Sequence, residues 1–237
     1  MSYKESVGII GGFGAYATLD FYRRFLEKFN CECERDYPHI YMDNDFTMPS
    51  RTRALLYGES YSEVVEKICR SIKGMLDKKV DYIVMVCGTA HAFLPDVYVK
   101  VPEAKNKIFN IISCLDRKLK KEKVNKIVVL AAEGTLKNKV YQNQLETVEC
   151  ISPDEEYYSQ IRYFIESVKQ NTINQEVAKK WYEFISTFEC ENILLGCTEL
   201  PVLIKFIKEN FADLENGYYC YYDPLEAVLD ELKIIMQ

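Results

Sequence analysis

Tyr82 to His91, Y-I-V-M-V-C-G-T-A-H, is an apolar run that stops at a cysteine followed by small and hydroxylated residues. Ile83 to Val86, with Tyr82 ahead of them, read as a fully buried parallel strand, and in open α/β sheets ligands sit just beyond the carboxyl ends of such strands. Cys87 stands at that end. The pattern returns at Asn192 to Pro201, N-I-L-L-G-C-T-E-L-P, where Ile193 to Leu195 lead into Gly196, Cys197, Thr198 and Glu199. The two thiols lie 110 positions apart (197 minus 87), close to half of the 237 residues. That spacing predicts two similar α/β lobes whose strand ends face each other across a cleft.

Working outward, Val7 to Ile10 is a short β-branched run ending in Gly11-Gly12-Phe13-Gly14, with a helical pattern behind it through Thr18, Phe21, Tyr22 and Phe25. A glycine loop of this kind has two readings: Gly12 and Gly14 let backbone N–H groups approach an anion, or they only make a tight βα turn. His39 to Met42 reads as the second strand. Arg51 follows it in M-P-S-R-T, either as a bidentate fork for a carboxylate or as a solvated loop cation. Tyr61 to Lys78 is amphipathic, with Val64, Val65, Ile68, Ile72, Met75 and Leu76 on one face. Ile108 to Ile112 is a further strand candidate, followed by a helical pattern over Leu115 to Glu122. Lys126 to Ala131 is the next buried strand, ending in A-E-G-T, and residues 154–169 and 175–188 are helical. Y-Y-C-Y-Y-D-P suggests a last short strand, and Leu225 to Met236 a closing helix.

Strand and helix alternate throughout with short turns, which points to a parallel-sheet α/β architecture. The expected division is a first lobe over residues 1–106 carrying Cys87, completed by 217–237, and a second over 107–216 carrying Cys197, with the crossover near Pro102 to Lys107.

Nine cysteines in this length are scattered and odd in number, so they read as reduced thiols rather than a disulfide scaffold. Cys31 and Cys33, in C-E-C, would need further ligands to hold a metal, and the chain has only His39 and His91 to offer. No metal site is expected. A formal net charge of −6 argues against nucleic acid or an anionic membrane as partner. No signal-like leader and no membrane-length apolar run are found, so a cytoplasmic protein is expected.

A thiol at a strand end, before a helix or a nest of N–H groups, sits in a positive field that favours the thiolate. For Cys69, Cys114, Cys150, Cys190 and Cys220 the reading is a small buried hydrophobe. Cys87 and Cys197 differ because backbone donors and a threonine follow each. Cys87 with His91 four residues on has the make-up of a nucleophile and base, but Cys197 has no such histidine. Two facing thiols suit a different chemistry, in which one as thiolate removes a proton from carbon and the other as thiol returns one to the opposite face. Such inversion needs no cofactor, and it needs donors that stabilise a carbanion-like, enediolate-like transition state.

V-G-I-I-G-G-F-G-A-Y-A-T, M-P-S-R-T, C-G-T-A-H, A-A-E-G-T-L-K and L-L-G-C-T-E-L-P together resemble the aspartate/glutamate racemase superfamily, in that family's order and nearly end to end. G-C-T-E-L-P resembles its aspartate racemase branch. The resemblance implies two α/β lobes related by a pseudo-twofold axis with the active site in the cleft between them, no pyridoxal phosphate, no metal, and a homodimer. It implies that Cys87 and Cys197 are the acid/base pair. It assigns Gly88, Thr89, Ala90 and Thr198 to the substrate α-carboxylate, matches Arg51 and Thr135 to family positions, and aligns Lys169 with a lysine for the side-chain carboxylate. By pattern alone Lys169 is a helix C-terminal cation. Glu199 either orients the substrate ammonium or is an acid at a helix start, and His91 either tunes Cys87 or packs the loop. The family normally reads C-N-T-A-H, and here Gly88 replaces an asparagine whose amide contacts substrate, a donor worth roughly one or two kcal/mol in a closed site. Ala15 stands where a proline normally follows G-G-x-G.

The expected function is racemisation of an acidic amino acid, aspartate before glutamate. Two alternatives stand beside it: a maleate-type cis-trans isomerase of the same superfamily, which uses one cysteine as a covalent nucleophile, and a non-catalytic amino-acid binder, motivated by Gly88.

Overall fold

The computed structural model describes residues 3–214 and 217–237. The outer limits of the expected lobes at residues 1 and 216 lie outside them. Eight strands and ten α-helices alternate among these residues: β1 Ser6–Ile10, α1 Ala15–Phe29, β2 His39–Asp43, α2 Arg51–Tyr57, α3 Tyr61–Asp77, β3 Tyr82–Met85, α4 Leu94–Lys100, β4 Ile108–Phe109, α5 Ile111–Glu122, β5 Lys126–Leu130, α6 Glu133–Lys137, β6 Glu149–Ile151, α7 Tyr158–Lys169, α8 Gln175–Ile185, β7 Asn192–Leu195, α9 Leu200–Asn210, β8 Cys220–Tyr222 and α10 Pro224–Ile235.

The strands form two four-stranded parallel sheets of the same design, ordered β2-β1-β3-β4 and β6-β5-β7-β8. In each, the chain first moves to one side of the opening strand and then crosses to the other. The crevice at that reversal, beyond the carboxyl ends of β1 and β3 and of β5 and β7, is where an α/β sheet receives a ligand. The predicted α/β fold with two parallel-sheet lobes is the observed one. β3 and β7 have equal length, and each places its thiol two residues past its last residue: Met85 to Cys87, Leu195 to Cys197.

Alternation along β1 and β3 sorts side chains onto two faces. Val7, Ile9, Val84 and Val86 pack with Phe21, Phe25 and Phe29 of α1 and with α5. Ile10, Ile83 and Met85 face the other way, onto Ile68 and Ile72 of α3 and Val97 of α4. The first of these cores runs without a break into the second lobe, where it takes in Val128, Leu130 and Leu194 of the second sheet together with Trp181, Phe164 and Leu203 of its helices.

Strand membership departs from the expected division in two places. β4, expected to open the second lobe at 107, hydrogen-bonds beside β3 in the first sheet. β8, expected within the 217–237 segment completing the first lobe, pairs with β7 in the second sheet. In both sheets the parallel strand after the thiol strand returns beside it, so the crossover between lobes is α5, not residues 102–107. The strand expected over Ile108 to Ile112 stops at Phe109. Asn110 accepts from the N–H groups of Ile112 and Ser113, and this cap turns the rest of the apolar run into the first turn of α5.

α10 does return to the first half. Asp223 caps it and also meets Arg24 of α1, whose Nε lies 2.8 Å from Asp20, and Lys28 binds Glu226 at 2.8 Å. Arg117 and Lys118 of α5 reach Glu231 and Asp230. α1, α5 and α10 thus clasp one another.

Candidate active site

The strand ends of both lobes open into one cavity of about 450 Å³. Its lining includes Cys87, Gly88 and Thr89 after β3, Cys197, Thr198 and Glu199 after β7, Gly12 and Gly14 after β1, Arg51 at the start of α2, and Lys169 at the end of α7. Ser50 and Thr52, on either side of Arg51, line it as well. These two stand within the M-P-S-R-T motif, so their position was available to sequence reasoning.

Each thiol has its own surroundings. Cys197 Sγ–H donates to Glu199 Oε2 at 2.9 Å, and the Thr198 hydroxyl donates to the same oxygen at 3.4 Å. Burial, then the Glu199 carboxylate, and then Cys87 push the Cys197 thiol well above its ordinary pKa, with Lys169 opposing. Cys197 is therefore held as the protonated thiol. Cys87 is buried at the mouth of the turn that starts with its own N–H donating to Met85 O.

Glu199 is itself buried, and Gly14 makes room for it. A Cβ on Gly14 would come within 2.2 Å of Glu199 Oε1. Gly14 caps the N-terminus of α1, so the carboxylate lies at the positive end of that helix. Gly12 adopts φ +79° with the Asp45 main chain against it, a turn that only glycine makes without strain. The glycine loop therefore packs on its own lobe at Gly12 and borders a carboxylate of the other lobe at Gly14.

Arg51 donates to Phe13 O and Pro49 O and stacks over the Phe13 ring, which ties the α2 start to the glycine loop. A guanidinium has five N–H donors, so this anchoring leaves others for a ligand. Lys169 binds Glu166 at 2.8 Å; burial disfavours its charge, but Glu166, Glu199 and Cys197 outweigh that and raise its pKa. A second cavity of about 290 Å³ adjoins the first on the far side of Lys169, with Arg53, Arg162 and Glu133 in its walls.

Thr89 and Thr135 meet across the lobes, hydroxyl to hydroxyl, at 2.7 Å. Ala90 is fully buried behind them. His91 hydrogen-bonds main-chain groups on both sides of its ring. Its Nδ1–H donates to Cys87 O at 2.9 Å, and Nε2 accepts from the N–H of Ile111. Burial holds its pKa down to about 4, so the ring is neutral and ties the thiol turn to the start of α5.

Position 88 has no room for a side chain. A Cβ there would stand 2.4 Å from the Tyr141 hydroxyl and 2.6 Å from Gly196 O. Tyr141 is fully buried, and its hydroxyl donates to Gly196 O at 2.8 Å. No local pattern marked this residue. Among the described residues no cluster of His, Cys, Asp and Glu could hold a metal ion, and no helix is long and apolar enough to cross a membrane.

Two parallel-sheet lobes that each bring a thiol to one cleft are the make-up of a cofactor-independent amino-acid racemase, an isomerase acting on a small amino acid. The sequence model of the Asp/Glu/hydantoin racemase family matches residues 10–229, and the chain belongs to that family. It is similar to an aspartate racemase structure from Picrophilus torridus, with a TM-score of 0.80, 26% identity, and coverage of 98% of this chain and 94% of that one. It is 27% identical over 180 residues to the glutamate racemase of Aquifex pyrophilus, spanning 74% of this chain and 68% of that protein. It is also 23% identical over 225 residues to the broad specificity amino-acid racemase RacX of Bacillus subtilis, spanning 89% and 92%.

Proposed function

We propose that the protein interconverts the L and D forms of an acidic amino acid, aspartate before glutamate, with Cys87 and Cys197 working on opposite faces of the α-carbon. The observation that carries this reading is the pair of thiols in one cavity at matching strand ends, one of them hydrogen-bonded to Glu199. The similarity to an aspartate racemase supports aspartate.

In the direction that starts from the protonated Cys197, the Cys87 thiolate takes the α-proton, breaking Cα–H and forming S–H. The electron pair moves into the substrate carboxylate as an enediolate-like species. Cys197 then gives its S–H proton to the opposite face, and Glu199 stands beside the thiolate this leaves. The N–H groups and hydroxyls of Gly88, Thr89 and Thr198 are suited to the α-carboxylate. Arg51 and Lys169 supply the cations for two carboxylates, Lys169 after exchanging Glu166 for substrate.

The two lobes act as one catalytic unit, with α5 as the connection. A homodimer and a cytoplasmic setting are part of the same proposal, the first resting on the family resemblance and the second on nine free thiols. Sedimentation of the purified protein tests the dimer.

The deciding experiment follows the α-proton of L-aspartate and, separately, L-glutamate by NMR in deuterated buffer. Wild type should exchange it, and Cys87→Ser and Cys197→Ser should each lose racemisation by a factor of at least about 10². Unimpaired racemisation by either variant would end the two-thiol reading.

A further inference from the structure

Tyr141 sits where neither its own chemistry nor the reaction requires a tyrosine. Its main chain hangs from the second lobe, with the following N–H groups of Gln144 and Leu145 donating to its carbonyl and Val140 N–H donating to Thr135 O. Its ring then lies between the residue after one thiol and the residue before the other. At Gly88 an added Cβ would strike the hydroxyl at 2.4 Å, and at Gly196 an added Cβ would strike ring atom Cε2 at 2.8 Å. The hydroxyl is fixed by donating to Gly196 O, the carbonyl of the peptide that leads into Cys197. Both Cys197 and Cys87 add to burial in raising the pKa of this phenol, so it stays neutral and close to the two sulfurs.

We propose that Tyr141 is a positioning residue that sets the separation and facing of Cys87 and Cys197, its ring acting as a spacer between Gly88 and Gly196 and its hydroxyl holding the Gly196–Cys197 peptide. The catalytic part of this inference rests on the racemase reading above. The Tyr141 hydroxyl and the Gly196 carbonyl that it holds together fill the volume from which a side chain at 88 would grow. Proton transfer between carbon and two opposed thiols is sensitive to reach, and a displacement of about 1 Å can cost about 10² in rate.

The test uses the full chain as wild type, Tyr141→Phe and Gly88→Ala. Two readouts are taken: kcat and KM for α-proton exchange, and the separate alkylation rates of Cys87 and Cys197 by iodoacetamide, read by peptide mass spectrometry. Tyr141→Phe keeps the ring and frees the peptide, so kcat should fall about tenfold with KM within about twofold, and the Cys197 alkylation rate should change by more than about threefold. Gly88→Ala should lose about 10² in kcat, because its methyl group would meet both the Tyr141 hydroxyl and Gly196 O. Tyr141→Phe indistinguishable from wild type in kcat and in both alkylation rates would overturn the proposal. Should Gly88→Ala fail to fold, Tyr141→Phe decides alone. No exchange by wild type with either acid would count against the racemase reading only, and the alkylation rates would still decide the spacing role.

Discussion

The hydroxyls of Thr89 and Thr135 meet at 2.7 Å, one following β3 of the first sheet and the other in α6 beyond β5 of the second. Thr135 is fully buried while Thr89 also lines the cavity, so the Thr135 hydroxyl is the one that depends on this contact for its hydrogen bond. Thr89→Val should therefore cost about 1–3 kcal/mol in urea unfolding, because it strands the Thr135 hydroxyl without water. The Thr89→Val/Thr135→Val double variant should cost clearly less than the sum of the two single changes. Strict additivity would mean that the bridge contributes nothing to joining the lobes.

Glu199 accepts the Sγ–H of Cys197. Replacing it by Gln removes a negative charge beside Cys197, so the thiol should ionise at lower pH. The alkylation profile of Cys197 against pH should move to the acid side while kcat falls by about 10–10². An unmoved profile would exclude Glu199 as the group that keeps Cys197 protonated.

Gly14 has an extended backbone, φ −166°, that alanine also adopts. Gly14→Ala should accordingly leave the far-UV circular dichroism spectrum intact. The new methyl group would displace the Glu199 carboxylate, the flexible end of a side chain, and Cys197 should then respond as it does in Glu199→Gln. Full activity in Gly14→Ala would show that Glu199 has slack to give.

His91 makes stability pH-dependent. Its folded pKa near 4 lies below the ordinary 6.5, so the unfolded chain binds a proton that the native ring refuses. The stabilisation is present above about pH 6.5 and is lost as pH falls towards 4, by about 3 kcal/mol in all. The urea midpoint should drop between pH 6.5 and 5 in wild type, and this slope should flatten in His91→Gln.

The two thiol strands were legible because four consecutive buried residues and a following turn form a local signal, and the equal spacing of β3 and β7 made the second repeat the first. β6 left none: Glu149, Cys150 and Ile151 form three half-buried or exposed edge positions with no alternation. Ile111 and Ile112 continue an apolar run that reads as strand, and only the Asn110 cap reveals the helix. The boundaries at 107 and 217 missed because sheet membership depends on which neighbour a strand returns to, and linear spacing carries no such information. Lys169 was legible by resemblance alone. Tyr141 acts on positions 88 and 196, and nothing in its own neighbourhood announces contacts 53 (141 minus 88) and 55 (196 minus 141) residues away.

Enantiomers have equal free energy in water, so their equilibrium constant is one and kcat/KM must be the same from either side. The carboxylate beside Cys197, with no counterpart described at Cys87, cannot tilt that ratio. It can only divide it unevenly: a faster turnover from one enantiomer must come with a proportionally larger Michaelis constant for it. In the proposed two-thiol mechanism with Cys197 as the donor, each completed inversion would also leave the empty enzyme with its protons on the wrong thiols for a repeat in the same sense. Between turnovers the pair would have to trade protons with water, so the proposed mechanism adds a resetting step to kcat that is separate from the breaking of the carbon–hydrogen bond.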